Sequence, residues 1–187
     1  AYADGVAQEI VGQLLHEYRA HDVLVMSRSG GSRLDGRPFD TSRRHLLRSL
    51  DSTLTRLGVD AVDVWIIHGP DPTTDLSETC EAMADAVQAG KALYSAVCDW
   101  PASDLGYATA RGEAERAGRL ALAQYEYSLL QRGVEDDVLG FAAAHGLGVV
   151  AWSPLGRGIL TGKYRQGTPA DSRGATAHLR GFVEPYL

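Results

Sequence analysis

Two hydrophobic periods take turns along this chain. In "QEIVGQLLHEY", Ile10, Val11, Leu14, Leu15 and Tyr18 share one face of a helix. "DVLVM" then reads as a short apolar strand, and the polar, glycine-rich stretch "SGGSRLDGRPFD" follows it. Thr41 is placed to cap a helix with the stripe Leu46, Leu47, Leu50, Leu54 and Leu57, closed by Gly58. "VDVWII" is the next strand, and residues 77–89 form a helix stopped by Gly90. "LYSAVC" is a strand, 102–117 a helix, "LALAQY" a strand, 134–145 a helix ended by Gly146, and "VVAW" a strand.

Apolar strands without polar alternation, separated by amphipathic helices, are parallel strands covered on both faces. Strand starts fall near 23, 62, 93, 120 and 148, a spacing of about 30 residues. That period suits a (β/α) barrel or a doubly wound sheet. No GxGxxG follows a strand, which lowers the dinucleotide-fingerprint form of the second option. One leading helix and five strands are about three strands short of a closed eightfold barrel. Each apolar run stops at a polar or reactive group: Ser27-Arg28, His68, Cys98-Asp99, Gln124 and Trp152-Ser153. In a barrel, the carboxyl ends of the strands converge on one catalytic face.

Composition narrows the partners. At 187 residues the chain is long enough for one sizeable core. No stretch approaches the roughly 20 apolar residues of a bilayer span, and residues 1–20 lack a signal-peptide pattern. The net charge of −6 argues against nucleic acid and against a basic stripe for a membrane surface. Cys80 and Cys98 are far apart and make no metal-ligand spacing, so a reduced, cytoplasmic protein is expected.

The longer motifs carry a resemblance. "AYADGVAQEIVG", "SLDSTLTRLGVDAVDVWIIHGPDP", "QAGKALYSAVCDW", "LAQYEYSLLQR" and "AWSPLGRGILTGKY" with "PADSR" resemble, in order, motifs of the aldo-keto reductases. The likeness is strongest to the branch of potassium-channel β subunits and bacterial relatives, and it covers nearly the whole chain. It implies a (β/α)8 TIM barrel in which residues 1–187 are one domain. The chain runs from about the end of strand 2 through strand 7, without the N- and C-terminal parts of the barrel. The implied chemistry is NADPH-dependent reduction of a carbonyl on a small organic substrate, or the reverse alcohol oxidation, without a metal. A homo-oligomer is compatible with this reading.

The resemblance also implies roles. Tyr2 falls on the general-acid tyrosine, and His68 on the histidine that orients the substrate. Arg28 stands where the catalytic lysine belongs. It keeps a positive charge that lowers a phenol's pKa, but its planar fork sets a different distance. The aspartate that pairs with that lysine would lie before Ala1. Cys98 and Asp99 replace the Ser-Asn pair that grips the nicotinamide carboxamide. An ionised Asp99 accepts hydrogen bonds and cannot donate them. Gln124 matches the third carboxamide contact, and Trp152 the aromatic stacked on the ring. Ser153, Pro154, Leu155 and Gly158 belong to the loop that offers backbone N–H groups to the pyrophosphate. Lys163 and Arg173 match phosphate contacts, and Arg157 is a further candidate. The substitutions at Arg28 and Asp99 keep two alternatives open: a catalytically altered NADP(H)-binding accessory subunit, or a non-redox lyase or isomerase. "SGGSRLDGRPFD" is expected to be a mobile loop over the site.

Overall fold

Five parallel strands lie side by side in their order along the chain. The computed structural model describes residues 2–18, 22–34, 37–115 and 119–187. A 3-10 turn, Tyr2–Gly5, leads into α1 (Val6–Glu17). Then follow β1 (Met26–Ser29), β2 (Gly31–Leu34), β3 (Arg37–Phe39), α2 (Arg43–Leu57), β4 (Val62–His68) and α3 (Leu76–Gln88). The second half is β5 (Ala92–Cys98), α4 (Ala102–Glu115), β6 (Leu120–Glu126), α5 (Val138–His145), β7 (Gly148–Trp152) and α6 (Ala177–Arg180).

The main sheet has the order β1-β4-β5-β6-β7. Each crossover steps the same way, and no reversal of order occurs. A doubly wound sheet needs such a reversal, so this is an arc of a (β/α)8 barrel. The arc has two cores. On the helix side, Leu46, Leu50, Trp65, Ile67, Met83, Val97, Leu105 and Ala123 are buried together. On the other side, Val64, Ile66, Ala96 and Cys98 form a smaller cluster against Leu122 and Trp152. Burial on both faces is why the strands read as unbroken apolar runs.

Several boundaries differ from the sequence reading. β1 begins at Met26, because β4 starts only at Val62 and gives residues 22–25 no ladder partner beyond the Val25 carbonyl. Thr41 does not cap α2. Its hydroxyl accepts from Thr79 at 2.9 Å in the core, and Ser42 holds the N-cap position without a side-chain cap bond. The expected 134–145 helix is a 3-10 turn, Gly133–Glu135, followed by α5. Gly58 and Gly146 close their helices as expected, in left-handed geometry.

"SGGSRLDGRPFD" is not simply an open loop. Its described residues form the antiparallel pair β2–β3. Asp71, whose side chain is 1% exposed, ties this hairpin to the loop after β4. It accepts from Arg37 at 2.8 Å, the Thr41 N–H at 3.0 Å and the Thr74 hydroxyl at 2.8 Å. Gly69 makes the close approach feasible. Its φ is +68°, and a Cβ there would lie 2.3 Å from the Phe39 ring. No helix among the described residues is long and apolar enough to cross a membrane.

Candidate active site

The register of the strands builds the site. His68 pairs with Cys98, and Cys98 with Gln124, so these three stand in one row across β4, β5 and β6. The row caps the smaller apolar cluster of Val64, Ile66 and Ala96. Arg28 pairs with Ile66, one step lower, on the same face. Its guanidinium reaches up to the row and donates to Gln124 Oε1 at 3.3 Å and to Cys98 Sγ at 3.8 Å.

Asp99 follows Cys98 with φ +57°, a rare conformation for a residue other than glycine. That turn lays its carboxylate beside its own neighbour. Cys98 Sγ donates to Asp99 Oδ2 at 3.2 Å, and Trp152 Nε1 donates to Asp99 Oδ1 at 3.0 Å. The indole is thereby fixed at the end of β7. Strain at a strand end, stabilised by two hydrogen bonds, marks a site whose geometry is over-determined.

The electrostatics follow from this placement. Burial, and after it the nearby Arg28, holds the His68 imidazole below its ordinary pKa of 6.5, while Asp99 opposes them. His68 is therefore neutral at pH 7 and can donate one hydrogen bond. Phe39 meets it edge-on, with ring centroids 5.0 Å apart. Burial and the Asp99 carboxylate push the Cys98 thiol up to about 12, so it remains protonated. A ligand nitrogen of His68, Cys98 Sγ and an Asp99 oxygen lie within 4.8 Å of one another. Arg28 beside the sulfur sets a cation against any metal there.

The loop after β7 is built from left-handed residues: Ser153, Gly156, Arg157, Gly158 and Gly162 all have positive φ. At Gly158 a Cβ would lie 3.1 Å from Lys163 Cε, so the lysine stem runs over bare backbone. The Gly158 N–H itself donates to the Leu155 carbonyl at 3.1 Å. Pro154 and Leu155 are exposed, and Ser153 is half-buried. Lys163 and Arg173 come together around Tyr164. Its hydrogen bond with Ser172 first, and the two cations after it, lower the phenol's pKa. Arg157 is directed elsewhere. Its fork donates to both oxygens of Glu126 at 3.1 Å and to the Phe182 carbonyl at 2.8 Å, and it lies against Trp152. The Tyr2 side chain lies outside the described residues.

Sequence reading missed Phe39, Asp71, Glu126 and Tyr164. Phe39 and Asp71 act through a fold-back of a loop, which no local period shows. The acidic Glu126, two residues beyond Gln124 on the same strand face, was a signal that the basic loop had a partner.

A parallel barrel arc with His68, Cys98, Gln124 and Arg28 on its carboxyl-end rim holds these side chains on the face where (β/α)8 barrels carry their active sites. Known proteins make this specific. The sequence profile of the Aldo/keto reductase family matches residues 1–186, and the chain belongs to that family. It is 37% identical over 191 residues to a probable voltage-gated potassium channel subunit beta of Oryza sativa subsp. japonica, covering 100% of this chain and 58% of that protein. It is 38% identical over 176 residues to L-glyceraldehyde 3-phosphate reductase of Escherichia coli (strain K12), covering 90% of this chain and 50% of that one. Among solved structures, a thermostable aldo-keto reductase in complex with the inhibitor epalrestat superposes with a TM-score of 0.75 and 32% identity, over 88% of this chain and 57% of its own. The chain thus spans between half and three-fifths of the length of these relatives.

Proposed function

We propose that this chain carries the catalytic rim of a single barrel domain that reduces a carbonyl of a small organic substrate with NADPH, or runs the reverse oxidation. The observation that carries the reading is the row of His68, Cys98 and Gln124 on adjacent strands, with Arg28 aimed into it.

The residues fit a nicotinamide dinucleotide. Gln124 offers a carboxamide contact, and each Asp99 oxygen retains a lone pair beside its present bond. Trp152 is fixed beside them. Lys163 and Arg173, with the bare backbone at Gly158, suit phosphate groups. When bound, the reduced cofactor supplies the hydride. Neutral His68 donates to the substrate oxygen and places it. Tyr2 is the proton donor in this reading. Cys98 stays a thiol and orients Asp99; it is no nucleophile.

The test is NADPH binding followed by quenching of its fluorescence, then NADPH oxidation with a panel of aldehydes, ketones and quinones. Turnover that falls about 100-fold or more in His68→Ala supports the reading. Tight NADPH binding with no turnover on any carbonyl overturns it.

A second reading is favoured by Arg28, which bonds to Cys98 and Gln124, two of the three residues that would meet the carboxamide. In that case the protein binds NADP(H) with little catalysis and acts as an accessory subunit, as the name of the plant relative suggests. Arg28→Lys then raises turnover. A fall in an existing turnover rules that reading out.

A further inference from the structure

The Cys98 sulfur stands between two opposite charges. Arg28 approaches it at 3.8 Å from β1, and the Asp99 carboxylate at 3.2 Å from the adjoining turn. Burial is the first cause of the raised thiol pKa; after it Asp99 acts more strongly than Arg28. Burial, and after it Asp99, also raises the Tyr125 phenol on β6. Only at His68, on β4, does Arg28 outweigh Asp99, again after burial. The β5–β6 part of the row therefore lies in a negative field, despite the arginine beside it.

The donors that hold Asp99 leave this charge in place. They are the Cys98 thiol and the Trp152 indole N–H, and both are neutral. Glu126, two residues beyond Gln124 on the same strand face, differs in this respect. Each of its oxygens accepts from the Arg157 fork at 3.1 Å, so the pair projects little field. Asp99 is also fixed. Its backbone keeps φ +57° and its two oxygens are held from opposite sides, by β5's own thiol and by β7's indole. A half-buried charge fixed in this way acts on a ligand at no cost of reorganisation.

We propose that Asp99 sets the oxidation-state preference of the cofactor seat, favouring the oxidised nicotinamide dinucleotide over the reduced one. The proposal rests on the reductase reading, which brings the nicotinamide against Asp99, Gln124 and Trp152. The oxidised ring carries one positive charge more than the reduced ring, and a fixed carboxylate acts on that difference. A neutral amide in the same place would bond to the carboxamide and respond far less to the charge of the ring. Tighter binding of the oxidised form makes the bound reduced form a stronger hydride donor, because the binding cycle must close. Arg28 opposes the preference from the other side of the sulfur.

The experiment is calorimetric titration of the protein with NADP+ and with NADPH, at one pH and one salt concentration. Asp99→Asn keeps an acceptor oxygen for the Trp152 indole, and asparagine tolerates left-handed backbone, so the change removes the charge and little else. It should weaken NADP+ at least about fivefold relative to NADPH. A tenfold change in the ratio of the two constants is about 30 mV in the midpoint potential of the bound couple, more positive in the variant. Arg28→Gln should move the ratio the opposite way. Equal changes in both constants, or a greater loss for NADPH, overturn the proposal and leave the reductase reading standing. So does a ratio that Arg28→Gln shifts in the same direction as Asp99→Asn. If the unaltered protein binds neither dinucleotide, the reductase reading fails and the proposal with it.

Discussion

His68 and Cys98 each sit between one cation and one carboxylate, so single substitutions have signed effects. Burial and Arg28 hold the imidazole below 6.5. A base with a lowered folded pKa leaves the unfolded chain with more bound protons between that value and 6.5. The stability it contributes is therefore complete above pH 6.5 and is lost as pH falls below it. Arg28→Gln should raise the His68 pKa, and Asp99→Asn should lower it. Proton NMR titration of the ring reads both, and a pair of unmoved titrations contradicts the electrostatic account. The thiol offers an independent check. With Cys98 fully buried and raised to about 12, thiolate is scarce at pH 8. A disulfide reagent should label Cys98 in the folded protein more than about tenfold slower than after denaturation. Rapid labelling of Cys98 in the folded state, located by peptide mapping, is the contrary result.

At the scale of elements, the β2–β3 hairpin is held over His68 by one carboxylate. Asp71 collects Arg37, Thr41 and Thr74, and Phe39 comes down on the imidazole. These hydrogen bonds hold the Asp71 carboxyl well below the usual range, against the opposing effect of its burial. Its contribution to stability is thus present above the unfolded value of 3.8 and is lost as pH falls toward the folded one. Asp71→Asn should cost about 1.5–3 kcal/mol at neutral pH, read by urea unfolding, and should flatten the acid limb of stability. A cost below about 0.5 kcal/mol would remove the clamp from the account. This hairpin also marks where the sequence stops being legible. The strands at 62–68, 92–98 and 120–126 and the row at their ends follow from local apolar runs and their polar stops. The paths of Arg37 to Asp71 and of Arg157 to Glu126 do not. They join segments 34 and 31 residues apart through long flexible side chains, and no period records such pairs.

For the whole molecule, the arc of strands has two outer members, and they decide how the chain behaves alone. β1 and β7 each have one ladder partner in the main sheet. Unpaired strand edges are templates for association. Apolar side chains lie in the open on β1 and on the helix that precedes it: Met26 is 49% exposed on β1 and Ile10 51% on α1. Val6 and Leu14 are exposed on α1 as well. Against this stands a net charge of −6, which repels like copies but is screened within about 10 Å at moderate salt. Short-range apolar contact should therefore win as salt rises. The 187-residue chain on its own should bind a hydrophobic dye and shift to larger species through the micromolar range, more so at high salt, by light scattering coupled to size exclusion. Met26→Glu with Ile10→Glu should restore a smaller species, because each places a charge on the exposed surface without touching the helix-side core. A dye-silent monomer at all salt concentrations would mean that these edges are already protected in solution, and that the exposed face of the arc is closed by the chain's own residues.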